Sequence, residues 1–116
     1  SLNGTDDMLV QLGDAGGFET SGYLSVGERS ATATSSTAGF IQPIAAGSDA
    51  FNGTITLTLL SSAANTWAGG GVLNTSGSTC QTSGAKSLSA ELTQIRITTT
   101  GGTDIYDAGL LNITTE

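Results

Sequence analysis

Apolar residues recur along this chain at every second position, not at the 3.6-residue spacing of a helix. In "GTITLTLL" (53–60), Ile55, Leu57 and Leu59 fall on one face and Thr54, Thr56 and Thr58 on the other, which predicts a half-buried strand. "TQIRITTT" (93–100) repeats the pattern, with Ile95, Ile97 and Thr99 inward and Gln94, Arg96 and Thr98 outward. Weaker alternation runs through Met8, Val10 and Leu12, through Leu88, Ala90 and Leu92, and through Leu111 and Ile113. Leu92 and Ile95 have opposite parity, so a bulge or tight turn near Thr93 is expected to keep both buried.

Turn signals separate these runs: "GDAGG" at 13–17, Asn52-Gly53, "SSAAN" at 61–65, "GGG" at 69–71 and "GG" at 101–102. They leave room for six to eight short strands. No helical stripe of useful length competes, and Pro43 with its β-branched neighbours weakens a helix in "TSSTAGFIQPI". The expected fold is all-β, an antiparallel β-sandwich of jelly-roll-like kind, with a small barrel as the alternative. Two polar stretches read as loops. "ERSATATSST" (28–37) is a long loop or exposed edge, for recognition or merely as a solvated connection, and 74–85 is a Ser/Thr/Gly loop around Cys80. No internal repeat is visible, which disfavours propellers and β-helices.

Composition narrows the setting. With 116 residues and 11.5 kDa, the chain has room for one domain, 1–116, and one modest core. Charged residues make up 11%, against roughly 25% in an average protein, so Ser, Thr, Asn and Gly must carry the surface. The net charge is −7 and the cations are Arg29, Lys86 and Arg96. That argues against nucleic acid and anionic membranes as partners. No apolar run approaches the roughly 20 residues of a bilayer span, so membrane insertion is not expected, and no signal-peptide pattern is present. The start, Ser1-Leu2-Asn3-Gly4, suggests a processed chain or the ordered part of a longer protein. Cys80 has no intrachain partner, and no His or cation stands near it in sequence to make it reactive.

Candidate chemistry is thin. Histidine is absent, which removes His-dependent triads, His-based zinc sites and His pH switches. Carboxylate chemistry would draw on Asp6, Asp7, Asp14, Glu19, Glu28, Asp49, Glu91, Asp104, Asp107 and Glu116. A glycosidase would need two of these facing each other at roughly 5–10 Å across a cleft. In "GGTDIYDAG" (101–109), Asp104 and Asp107 are a weak calcium candidate, but the EF-hand spacing is missing and Asp is also the ordinary turn residue. Neither an enzymatic activity nor a cofactor is expected. Among the aromatics, Trp67, Tyr23 and Tyr106 are candidate binding residues, with core packing as the competing role of Trp67. The sequons at Asn3, Asn52, Asn74 and Asn112 are expected from composition.

Three segments in order, "VQLGDAGGFETSGYLS", "NGTITLTLLSSAANTWAGGGVL" and "KSLSAELTQIRITTTGGTDIYDAGLLNI", resemble a β-domain found near the C-termini of tailed-bacteriophage structural proteins, including tail fibres. The match spans nearly the whole chain. Gly13, Asp14, Gly16, Gly17, Gly22, Asp104, Asp107 and Gly109 occupy the family's turn positions, which implies turn-fixing roles for them. Members of that family begin one or more strands earlier, which supports reading this chain as a fragment. The ending "NITTE" departs from the family's "NILYE"-like close, so an aromatic contact made there is not expected here. The resemblance implies a virion location and a non-enzymatic structural role in a tail fibre or fibre-like tip. Expected partners are further copies of the chain in a homotrimer, other virion proteins, and a host-surface glycan or protein met through 28–37 and 74–85. A capsid decoration protein and a carbohydrate-binding module are the alternatives.

Overall fold

The structure, a computed structural model, describes residues 4–44, 50–75, 77–102, 104, 106 and 109–115. These contain nine strands and no helix. The strands are β1 (Met8–Asp14), β2 (Gly17–Phe18), β3 (Leu24–Arg29), β4 (Thr32–Ser36), β5 (Phe40–Gln42), β6 (Asn52–Ser61), β7 (Thr66–Thr75), β8 (Ser78–Ser87) and β9 (Gln94–Thr99). The number exceeds the expected six to eight because β2 and β5 are too short to show a period. All-β architecture in two antiparallel sheets, as in a β-sandwich, is what the alternation predicted.

The larger sheet runs β4-β3-β8-β7-β6. The smaller is built on β1, which pairs with β9 along one edge and with β5 and β2 along the other. β1 is buried along its whole length. Its inner face brings Val10 and Leu12 into a cluster with Tyr23, Phe40 and Leu88, flanked by Ile55, Leu57, Trp67, Leu92 and Ile97. A second cluster joins Met8 to Leu73 and Cys80. On the other face, the Arg96 Nε donates to Gln11 Oε1 at 3.0 Å and the guanidinium lies 4.4 Å from the Phe18 ring centroid. The Arg stem and the aromatic ring thus cover the sheet while the exposed guanidinium donates to the Gln11 amide.

"GGG" at 69–71 is not a turn but the middle of β7, and the reason is steric. Gly69 pairs with Gly84 of β8 on the inner face, and the Phe40 ring lies on both. A Cβ at Gly69 would come within 2.9 Å of that ring, and one at Gly84 within 3.0 Å. The glycines let β5 press onto the larger sheet, where Phe40 meets Tyr23 edge-on at 5.3 Å. Asn52-Gly53 likewise opens β6 instead of forming a turn.

Within the polar stretch 74–85, residues 74–75 and 78–85 are strand, belonging to β7 and β8, and Cys80 is fully buried in β8. Residues 28–37 form most of the β3–β4 hairpin, turning at Ser30 and Ala31 with φ of 50° and 61°. The exposed-edge reading of this segment therefore holds, with β4 as the edge. Leu88, Ala90 and Leu92 form no strand; Leu88 is buried in an irregular crossing to β9. No bulge near Thr93 is needed, because β9 begins at Gln94 and leaves Ile95 38% exposed. The bulge that does occur lies between Leu59 and Ser61 of β6. Leu111 and Ile113 sit in an exposed segment without ladder pairing among the described residues.

Candidate functional site

Sequence reasoning missed a buried, ion-paired group of the interior, Lys86. It faces inward from β8, and its ammonium pairs with Glu19 Oε1 at 2.9 Å. It also donates to the Ser21 carbonyl at 2.8 Å and stands 5.1 Å from the Tyr23 ring centroid. Gly22, at φ +78°, makes room: a Cβ there would stand 3.1 Å from the ammonium. Glu19 accepts a hydrogen bond from Ser89 N at 2.8 Å. That bond, followed by the Lys86 ammonium, holds its carboxyl down at about 2. Strand parity in β8 was the signal for Lys86, but its inward positions, Thr82 and Gly84, gave no apolar alternation to reveal it.

Tyr23 is fully buried and offers no binding surface. Its hydroxyl accepts from Leu12 N at 2.7 Å and donates to the Glu19 carbonyl at 2.9 Å, tying the turn after β2 to β1. Burial pushes its phenol up. Tyr106 is 37% exposed, and its hydroxyl donates to the Thr98 carbonyl at 2.9 Å. Burial pushes that phenol up to about 12.

The turn residues act as their chemistry predicts, though not always locally. Asp14 Oδ1 accepts from Gly16 N at 2.8 Å, fixing the β1–β2 hairpin in which Gly17 takes φ +122°. Gly13 packs against Gly17 and Gln94, where a Cβ would not fit. Asp104 reaches across the molecule: its Oδ2 accepts from Asp6 N at 2.8 Å. In return Asp6 Oδ2 accepts from Gly101 N at 2.9 Å. Asp7 Oδ1 accepts from Ile44 N at 3.0 Å. Asp104 thus clasps the approach to β1 to the segment after β9. No final strand follows it among the described residues, and Gly109, at φ +146°, leads into the exposed segment. Asp107, the other half of the calcium candidate, lies outside the described residues, as do Asn3, Asp49 and Glu116. Among the described residues, no group of three or more carboxylates and thiols converges as a metal site.

The open concavity with the most varied chemistry lies beside Trp67. It is a groove of about 530 Å³ lined by Leu59, Ser62, Asn65, Trp67, Glu91 and Leu92. The β6–β7 turn forms one rim and the crossing to β9 the other. Trp67 sits half-buried between them, at once core support and groove wall. The core role considered for it from sequence is thus observed, and its remaining surface lines the groove. Its rims are tied down: Leu88 N donates to the Asn65 carbonyl at 3.0 Å and Thr93 N to the Gly13 carbonyl at 3.0 Å. Thr66 and Ser87 share a hydroxyl bond of 2.7 Å. A second, shallower depression at Tyr23, Leu24, Ser25, Val26 and Ser35–Thr37 is almost wholly apolar.

Comparison with family models, with curated proteins and with solved structures finds no match to this chain.

Proposed function

We propose that this chain is a non-enzymatic domain of a bacteriophage virion, part of a tail fibre or fibre-like tip that assembles as a homotrimer and meets the host surface. The observation that carries this reading is how its charges are used. Asp6, Asp7, Asp14, Glu19 and Asp104 each accept from a backbone amide, Lys86 is ion-paired inside the fold, and the exposed Arg96 donates to Gln11. On the outer face of the larger sheet, Glu28 is the lone charged side chain among the described residues, sharing that face with Thr54, Thr56, Thr58, Gly70, Ser83 and Ala85, with Leu24 75%, Val26 50% and Val72 51% exposed. A surface of that kind suits packing against other copies and neighbouring virion proteins. The ordered resemblance to phage structural proteins supports the same setting.

Quantitative mass spectrometry of purified virions, with light scattering of the isolated domain, tests the proposal. Detection at a few to a few dozen copies per particle and a trimeric mass in solution are the expected results. A count in the hundreds would replace it with a capsid decoration role. Absence from virions would remove both and leave the carbohydrate-binding module, the reading that the Trp67 groove favours.

A further inference from the structure

The geometry points to the Trp67 groove as a binding site for a neutral saccharide, an inference that rests on the receptor-contact reading above and gives it a place and a ligand class. Saccharides present an apolar C–H face and a fringe of hydroxyls, so their sites pair an aromatic or aliphatic wall with a few fixed polar groups. Here Trp67, Leu59 and Leu92 supply the wall, while Ser62, Asn65 and Glu91 supply a hydroxyl, an amide and a carboxylate. At about 530 Å³ the groove falls within the range of small-ligand sites, about 300–1,000 Å³.

Two further observations narrow the ligand. The rims are held before any ligand arrives: the Asn65 carbonyl holds Leu88, Glu19 holds Ser89 and the Gly13 carbonyl holds Thr93. Little ordering is then lost on binding, which matters for a small, weakly held ligand. Asn65, a residue type that favours the left-handed region, holds the turn at φ +52° and lines the groove. Charge selects next. Glu91 lines the groove, Lys86 is buried against Glu19, and Arg96 lies over Phe18 on the smaller sheet. With a net charge of −7 and no cation in the lining, the site disfavours sialylated or phosphorylated glycans.

Trp67 is the single tryptophan of the chain, so no other tryptophan masks its response at the groove it lines. The test titrates the full chain with neutral trisaccharides ending in galactose, glucose, mannose or N-acetylglucosamine. It then uses the same sugars capped with sialic acid, and an uncharged apolar peptide, with calorimetry in parallel. At least one neutral sugar should shift the emission and protect it from acrylamide. Asn65→Gly, which suits the positive φ, should weaken binding at least tenfold with an unchanged melting temperature, and Trp67→Phe should weaken it in calorimetry. Glu91→Gln should narrow the gap between neutral and sialylated sugars. No response to any neutral sugar at millimolar concentration, undiminished binding in both Asn65→Gly and Trp67→Phe, or binding of the peptide alone would overturn the proposal. The two readings fail separately. A virion-borne domain that ignores saccharides sinks the groove only, whereas a saccharide-binding domain absent from virions sinks the virion role only.

Discussion

Glu19 and Lys86 show how one side-chain pair fixes several backbone segments together. Lys86 is 6% exposed, so removing its partner strands an ammonium in the interior. Glu19→Gln should therefore cost about 3–5 kcal/mol in denaturant unfolding. Combining it with Lys86→Met should cost clearly less than the sum of the two single changes, because no buried charge is left unpaired. The pH dependence has a definite sign. The Glu19 carboxyl titrates lower in the folded chain, at about 2, than at its usual value of 4.5. Its contribution is thus complete above the unfolded value and is lost as pH falls through the folded one. Melting temperature should drop between those two values, and the drop should be smaller in Glu19→Gln. Tyr23→Phe, which leaves Leu12 N without its buried acceptor, should cost about 1–3 kcal/mol. "GDAGG" advertised a turn, and Asp14 and Gly17 behave as such residues should. The role of Glu19 and Ser21 as a socket for a lysine 65 residues beyond Ser21 was not legible, because that contact depends on which face of β8 turns inward.

At the scale of elements, legibility followed chemistry. β6 and β9 announced themselves because β-branched and aliphatic residues alternate there, and Ile55, Leu57 and Ile97 do pack on the core. β7 and β8 hid because their inner faces are lined with glycine, threonine, cysteine and lysine. Glycine means turn when nothing fills the space beside it. Here it means strand, because an aromatic ring fills that space. Gly69→Ala should cost about 1–3 kcal/mol through overpacking against Phe40, and Gly84→Ala at least as much, because its Cβ would also meet the Leu24 carbonyl. Adding Phe40→Leu to Gly69→Ala should recover part of that loss, measured by chemical denaturation. If the alanine variants are as stable as the parent, the ring does not need the glycine floor.

Across the whole molecule, residues near opposite ends of the sequence are joined. Asp6 N donates to the Asp104 carboxylate, the Asp6 carboxylate accepts from Gly101 N, and Thr100 N donates to the Asp7 carbonyl at 2.9 Å. Asp104→Ala should lower the melting temperature through the loss of a partly exposed charged bond, worth about 1 kcal/mol. Calcium or EDTA should shift the calorimetric transition of neither protein. A calcium-dependent shift abolished by Asp104→Ala would turn the clasp into a metal site. The Trp67 groove was only half legible. Its tryptophan was visible in sequence, but its opposite wall, Glu91 and Leu92, comes from a segment that sequence alone made a strand.

The burial of Cys80 has a practical side. Its thiol faces the Pro43 carbonyl inside the second core cluster, and burial pushes its pKa up. A thiol-reactive dye can therefore reach it only when the sheets part, and the chain has no other cysteine to confuse the signal. Alkylation thus times breathing of the sandwich, slowed relative to the denatured chain by on the order of a thousandfold or more if only global opening suffices. Followed by mass as the domain is placed with its neighbours, one modified atom would show which partners hold the sheets shut.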